Sequence, residues 1–208
     1  MAMVFRSQRY RGKVRRAEAE SAMLYYILIG VAVLVAAAII WLYNVLVGRW
    51  QMVNNGWADI DVQLKRRSDL VPRLVEIVGG YASHERETLE EVTEKRALTE
   101  DAGEDPERRG AAESELSKPV ARLIALAEAY PDLKANESFA ALQKELVETE
   151  NQIEMSRRFY NGAVRELNTL VQTFPASLVA GVAGFSTRPY FEIEPVERVL
   201  PQVKLAST

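Results

Sequence analysis

The chain contains 208 residues, of which 26 are Lys or Arg and 29 are Asp or Glu, and it has no cysteine. Without cysteine, disulfides, thiol nucleophiles and cysteine-bound zinc are excluded. The net charge of −3 argues against nucleic acid as a partner, because affinity for phosphate chains comes mainly from an excess of Lys and Arg.

The first structural signal is an uncharged apolar run from Ser21 to Gly48. About 20 apolar residues suffice for a helix to cross the bilayer core, so the run predicts a transmembrane helix at residues 22–48. A cleaved signal peptide is the alternative, since small residues occur at positions 36–38, but apolar sequence continues beyond them. An uncleaved anchor in contact with the lipid bilayer is therefore favoured.

The charges beside this run predict its orientation. The tail at residues 1–21 carries six basic and two acidic residues. The positive-inside rule then places the N-terminus in the cytoplasm and the domain outside the inner (cytoplasmic) membrane of a bacterium. The reverse orientation stays open, because Lys65, Arg66 and Arg67 lie just past the window that the rule uses.

Apolar residues three or four positions apart follow the run and predict that the anchor extends into the domain as one amphipathic helix. This helix is expected to end at residues 65–67, where positive charge suits the helix dipole. Ser68 and Asp69 then predict the cap of a second helix, with Pro72 in its first turn. The apolar stripe consists of Val53, Trp57, Ile60 and Leu64.

The second helix has an interruption at residues 79–80, both glycine, where it should bend or admit another backbone. Its charged far end leads to a polar turn near residues 101–106. A third helix begins near Pro106, and Pro119 predicts either a kink in it or a later start near Ser117.

The fourth helix is the longest, with Asn136 as its cap and Pro175 beyond its end. Its apolar residues fall at whole heptads, as in a helix packed almost parallel to its neighbours. The next segment, residues 176–185, is apolar and should fold back against the bundle or the membrane surface. The heptad stripe consists of Phe139, Leu142, Leu146, Ile153, Tyr160, Ala163, Leu167, Leu170 and Phe174.

These elements predict an all-α protein in which a single N-terminal transmembrane helix continues into an antiparallel bundle of about four long helices. Three prolines exclude a long helix after Arg188, so the C-terminal residues should be extended and partly mobile. The predicted ranges are 1–21 for the basic tail, 22–48 for the transmembrane helix, 49–185 for the bundle and 186–208 for the extended or mobile tail.

Few residues are candidates for metal binding or catalysis. His84 is the only histidine and begins the sequence HERET, which departs from the zinc signature H-E-x-x-H at Thr88. Carboxylates between residues 85 and 94 could hold a hard cation, but such bundle sites use Glu-x-x-His pairs from different helices. We expect a solvated charged face there, with no metal, no cofactor, no small-molecule substrate and no enzymatic activity.

A polar cluster on the fourth helix admits two interpretations. Glu150 and Glu154 are spaced to form surface ion pairs with Arg157 and Arg158. Alternatively, the cluster forms a polar layer between helices that fixes their register, with the charged residues at positions 59–67 as its partners.

Several long segments form a specific pattern. The segments are YNVLV (43–47), WADIDVQLKRRSDLVPRLVEIV (57–78), GYASHE (80–85), AEAYPDLKANESF (127–139), LQKELVETENQI (142–153) and RRFYNGAVRELN (157–168). In register over residues 43–185, they resemble the LemA family. Three positions differ from the family's usual pattern, since Ser68 replaces a frequent His, Gly56 a usual Ala and Leu167 a common aromatic residue.

The resemblance implies an all-α bundle on one N-terminal membrane helix, and it brings no established activity. The topology often stated for the family, with an outside N-terminus and an inside domain, is opposite to the one that the charges predict. One branch of the family is associated with magnetosome membranes, and other members lie near genes for membrane proteases or TPM-domain proteins.

We therefore expect a non-enzymatic membrane scaffold or adaptor that binds protein partners or other copies of itself, in membrane organisation or envelope stress. A membrane protease or a TPM-domain protein is a candidate partner. A membrane sensor that relays a ligand or stress state to a partner is the alternative. Partner contact or bundle locking is expected from the polar residues that match the family. They are Asp59, Asp61, Lys65, Arg66, Arg67, Glu150, Asn151, Arg157, Arg158 and Asn161.

Overall fold

The computed structural model describes the backbone of residues 2–193 and the side chains of residues 23–193. Within this range the chain forms six helices and no strand, which confirms the all-α prediction. The rest of the predicted C-terminal tail, residues 194–208, lies outside the described residues. The helices are α1 (Ala2–Tyr81), α2 (Arg86–Asp101), α3 (Pro106–Leu126), α4 (Pro131–Lys134), α5 (Glu137–Gln172) and α6 (Ala176–Ala183).

The chain divides into two compact units, and α1 and α5 contribute residues to both. The smaller unit contains residues 2–48 and 170–186. The larger unit contains residues 49–169 and, of the described residues, 187–193. Residues 170–186 cluster with the apolar part of α1.

Helix α1 continues without a break through the position where the sequence predicted a new helix. The predicted helix end at residues 65–67 and the predicted cap at residues 68–69 are therefore wrong. Pro72 lies inside α1 and cannot donate to the carbonyl oxygen of Ser68. That oxygen instead accepts a hydrogen bond of 2.9 Å from Nε of Arg96 in α2, which replaces the missing helical donor.

The paired glycines mark the true end of α1. The helix stops at Tyr81, directly after residues 79–80, and the chain turns before α2 begins at Arg86. The predicted second helix is thus divided, because its first part belongs to α1 and its charged far end forms α2.

Side-chain caps fix the starts of α3 and α5. The backbone N–H of Arg108 donates to the Asp105 carboxylate at 2.9 Å, so α3 begins after the predicted polar turn. Pro119 lies inside α3 without breaking it. The predicted cap of the longest helix is confirmed, since the backbone N–H of Phe139 donates to Oδ1 of Asn136 at 2.9 Å.

In the larger unit, α5 packs antiparallel to the second half of α1. At one end Nδ2 of Asn136 donates to the hydroxyl of Tyr81 at 2.9 Å. Nearer the other end, Gly56 of α1 lets the two backbones come close, because a Cβ added there would lie only 3.2 Å from Cα of Tyr160. The antiparallel arrangement predicted for the bundle is therefore observed for this pair.

The predicted apolar stripes form the core of the larger unit. The stripe of α5 is buried as far as Leu167, but Phe174 lies beyond the helix and is 76% exposed, so the stripe was predicted too long. A continuous apolar cluster joins the second half of α1 to α2, α3 and α5, which gives the four long segments of the bundle. Its members include Leu74, Val92, Leu123 and Leu142.

In the smaller unit, the apolar part of α1 stays uncovered. All side chains from Met23 to Trp41 are exposed, and this is the one helix of the described chain long and apolar enough to cross a membrane. At its end the ring of Phe185, just after α6, lies 6.0 Å from the ring of Tyr43. An uncovered apolar helix of this kind is compatible with a membrane anchor.

Candidate functional site

The first candidate site is a buried arginine, Arg67 on α1, which is 1% exposed. Its Nη2 donates to the carboxylate of Glu113 on α3, which is equally buried. Its Nη1 donates to Oε1 of Glu150 on α5 at 2.8 Å and to the hydroxyl of Ser117 on α3 at 3.1 Å. These four residues, which we call the Arg67 clamp, join α1, α3 and α5.

Charge balance keeps the clamp ionised. Burial by itself lowers the pKa of Arg67, but the negative charges of Glu150 and Glu113 and their hydrogen bonds outweigh burial, so the pKa is raised above its ordinary value. Glu113 also forms an ion pair with a second arginine, since Nε of Arg109 donates to its Oε1 at 2.9 Å. Ions paired in this way fix the relative position of the helices that carry them, because any shift would leave a buried charge alone.

The second candidate site is an extended segment, residues 187–193, which we call the strap. Two asparagine side chains of α5 bind its backbone. The amide of Asn168 accepts from the N–H of Arg188 at 2.8 Å and donates to its carbonyl oxygen at 2.9 Å. The amide of Asn161 pairs with Phe191 in the same way, with both distances 2.9 Å. Each amide therefore recognises the backbone of the strap and not a side chain.

The spacing of the bonded residues along α5 matches the spacing of their partners along the strap. The two asparagines are seven residues apart, about 10.5 Å along α5. Their partners are three residues apart, about 9–10 Å in an extended chain. Two further bonds, both 2.9 Å, continue the series: the Tyr160 hydroxyl donates to the Pro189 carbonyl, and Nη1 of Arg157 donates to the Ile193 carbonyl. The strap therefore runs antiparallel to α5.

The strap also packs against α1 and α3. The ring of Phe191 is fully buried, 5.5 Å from the ring of Trp57 on α1. On α3, a Cβ at Gly110 would overlap the carbonyl oxygen of Glu192, so this close approach requires glycine. Residues 187–193 form neither helix nor strand, and side chains of α5 hold their backbone.

The buried hydroxyl of Tyr160 makes the strap sensitive to alkaline pH. Burial raises the pKa of Tyr160 from its ordinary value of 10.0, the charge of Arg188 opposes this, and the charge of Asp105 adds to it. As the pH rises through 10, the unfolded chain therefore loses the phenol proton before the folded chain does. The free energy of unfolding should fall in that range. Below it, this group should add no pH dependence to the free energy of unfolding.

We expect Tyr160→Phe to be less stable than the parent chain by about 0.5–1.5 kcal/mol at neutral pH, because one hydrogen bond to the strap is lost. The difference should shrink above about pH 10, because phenylalanine has no proton to release. Urea unfolding followed by circular dichroism at about pH 8 and about pH 11 measures both values. An unchanged difference between these pH values would contradict the assignment.

The ten residues predicted from the sequence as a contact or locking site divide into two groups. Four are used inside the larger unit, two in the clamp and two at the strap. Glu150 pairs with Arg67 across two helices at 2.8 Å, whereas Glu154 forms a surface pair with Arg158, at 3.4 Å. The inner four are Arg67, Glu150, Arg157 and Asn161, and the exposed six are Asp59, Asp61, Lys65, Arg66, Asn151 and Arg158.

Four other residues of the clamp and of the strap contacts were not predicted as site residues. Glu113 and Ser117 carry no local signal, because α3 is rich in charged and small residues around them. Asn168 does carry one, since it lies one heptad from Asn161 on the same face of α5 and repeats its amide. Phe191 is one of two adjacent aromatic residues in a proline-rich tail, and its contact with Trp57 distinguishes it from Tyr190.

The residues considered for metal binding do not come together. His84 is exposed in the turn between α1 and α2, so the sequence HERET does not present its first residue on a helix. Across residues 23–193, no group of three His, Cys, Asp or Glu side chains is placed to hold a metal ion.

The fold and the two sites define an all-α bundle protein with one uncovered apolar N-terminal helix, in which buried polar groups lock helices and a C-terminal strap together. The chain belongs to the LemA family, whose family model matches residues 56–205. The resemblance seen in the sequence is thus confirmed.

Curated relatives are 22–26% identical to this chain over the aligned residues. Protein LemA of Metamycoplasma hominis is 26% identical over 147 residues, covering 71% of this chain and 67% of that protein. Magnetosome protein MamQ 2 of Paramagnetospirillum magneticum is 23% identical over 184 residues, covering 76% and 68%. Magnetosome protein MamQ of Magnetospirillum gryphiswaldense is 22% identical over 178 residues, covering 74% and 65%.

Proposed function

We propose that the chain is a membrane-anchored, non-enzymatic scaffold or adaptor that holds protein partners, or other copies of itself, through an exposed charged face of α1. The uncovered apolar run of α1 supports an anchor in the bacterial inner membrane. The basic residues before it favour a cytoplasmic N-terminus and an outside larger unit. A membrane protease or a TPM-domain protein is the partner class that the family resemblance suggests.

One observation carries this proposal. Asp59, Asp61, Lys65 and Arg66 are exposed on α1, and none forms an ion pair with the residues that the structure describes. The neighbouring Arg67, by contrast, is buried and forms ion pairs inside the larger unit. An apolar side chain, Val62, lies among these charges and is 61% exposed. An exposed apolar residue surrounded by charges has the composition of an interface with a polar rim.

The test is affinity capture of the full chain from native membranes, after brief cross-linking, with Lys65→Ala/Arg66→Ala as the variant. We expect this variant to lose its specific partners, because both removed charges are exposed and neither supports the fold. Arg67→Ala is unsuitable here, because it would disturb the Arg67 clamp. The mass of the purified chain in detergent, measured by light scattering, shows whether other copies are among the partners.

A charge-matched control separates contact from general electrostatics. Arg86→Ala/Arg108→Ala removes two exposed arginines from α2 and α3, away from this face. It should retain every partner of the parent chain. Equal capture by both double variants, or an unchanged partner set and mass for Lys65→Ala/Arg66→Ala, would overturn the proposal.

A further inference from the structure

A groove lined by three arginines lies on α5 beside the strap. Its volume is about 630 Å³. This volume falls in the range of small-molecule sites, about 300–1,000 Å³. The lining residues are Arg157, Arg158, Asn161, Gly162, Arg165 and Tyr190.

Helical spacing brings the arginines to one place. Arg158 and Arg165 are seven residues apart, two turns of α5, and therefore lie on the same face. Gly162 lies between them, and a Cβ added there would have no atom within 4 Å. The missing side chain leaves open the space between the two guanidinium groups. Tyr190 of the strap forms the opposite wall.

Within residues 23–193, most of the hydrogen-bond donors in this groove are not used. Arg165 has no ion pair within the described part of the chain. Among the same residues Arg158 pairs with Glu154 alone, at 3.4 Å, and both side chains are exposed. Arg157 donates from Nη1 to the carbonyl of Ile193, and its other N–H groups have no hydrogen-bond partner among the described residues. No carboxylate of the described chain lines the groove, so the charge of its described lining is positive.

Guanidinium groups that converge on one open space favour phosphate, because their planar N–H pairs match two phosphate oxygens at once. Glu166, the acidic neighbour of Arg165 in the sequence, pairs with Arg49 at 2.5 Å and not with Arg165. We propose that this arginine groove binds a phosphate group, carried by an anionic phospholipid headgroup or by a soluble phosphate ester.

The experiment uses the full chain purified in a mild detergent. One arm adds phosphatidylglycerol and counts bound lipids by native mass spectrometry, with phosphatidylcholine for comparison. The other arm titrates glycerol 3-phosphate by isothermal calorimetry. Saturable binding in the first arm alone assigns a lipid headgroup, and saturable binding in both arms assigns a soluble ester as well. Binding requires neither partner capture nor the exposed charges of α1, so this result is independent of the proposed scaffold function.

Two variants test the groove by different means. Arg158→Gln/Arg165→Gln removes two exposed charges and should weaken binding at least about tenfold, the effect of losing charge-assisted hydrogen bonds. Gly162→Leu keeps every charge but fills the space between the arginines, and it should weaken binding as much. Arg86→Gln/Arg108→Gln has the same net charge as the first variant and should bind like the parent chain.

Three results would overturn the proposal. One is the absence of saturable binding in both arms, and another is equal weakening in the Arg86→Gln/Arg108→Gln control, which would show general charge attraction. The third is displacement of glycerol 3-phosphate by an acidic peptide at a lower concentration than by inorganic phosphate, which would assign the groove to a protein partner.

Discussion

Replacing Arg67 by Met should lower the free energy of unfolding by about 3 kcal/mol, at the lower end of the usual cost of removing one partner of a buried ion pair. The carboxylate of Glu113, which is as buried as Arg67, loses one of its two cations and keeps Arg109 at 2.9 Å. Glu150 contributes less to the loss, since its side chain is half exposed and water can solvate it. Thermal and urea unfolding in detergent, followed by circular dichroism, measure the change.

The control is the adjacent residue. Arg66→Met removes the same charge from an exposed position and should change stability by no more than about 0.5 kcal/mol. The double variant Arg67→Met/Glu113→Gln should recover part of the loss, because it also removes the buried carboxylate that has lost one of its cations. If Arg67→Met and Arg66→Met are equally stable, Arg67 does not lock the helices.

The burial of Arg67 could have been predicted from the sequence. The apolar stripe of α1 continues as Leu64, Val71 and Leu74, and position 67 lies three residues after the first and four before the second. A stripe that passes through an arginine indicates both an unbroken helix and a buried cation in need of a carboxylate. The local signals of residues 68–72 predicted a helix start instead.

What could not be predicted depends on contacts between residues distant in the chain. Pro72 is tolerated inside α1 because Arg96 supplies the donor for the carbonyl of Ser68, and no local pattern links these residues. The contacts of the strap could not be predicted for the same reason. Prolines remove local hydrogen bonds, but the backbone groups of Phe191 are satisfied by Asn161, thirty residues earlier in the chain.

Local periodicity, by contrast, predicted the elements well. The heptad pattern of α5 and its cap at Asn136 are properties of neighbouring residues, and the structure confirms both except at Phe174. Such patterns decide which face of a helix is buried. They do not decide which helix covers that face, so the partners of Glu150, Arg157 and Asn161 became known only from the structure.

Phe191→Ala should lower the free energy of unfolding by about 3 kcal/mol, at the lower end of the usual cost of emptying a buried phenylalanine site. The site is formed by Trp57 and the strap, and the remaining strap contacts are hydrogen bonds that water can replace. We therefore expect the strap to detach before the helices unfold, which limits the loss to the strap's own contribution.

Two measurements separate this outcome from general destabilisation. Trp57 loses its contact with the ring of Phe191, so the tryptophan emission should shift to longer wavelength. The helical circular dichroism should stay unchanged. A protease should cleave Phe191→Ala within residues 187–193 faster than within the helices. Tyr190→Ala is the matched control, because the side chain of Tyr190 is 41% exposed and its loss should leave both the emission and the cleavage site as in the parent chain. If Phe191→Ala melts in a single step with no early cleavage in the strap, the expected detachment is wrong. The strap would then unfold together with the helices, and its contacts with Asn161 and Asn168 would stabilise the bundle as a whole.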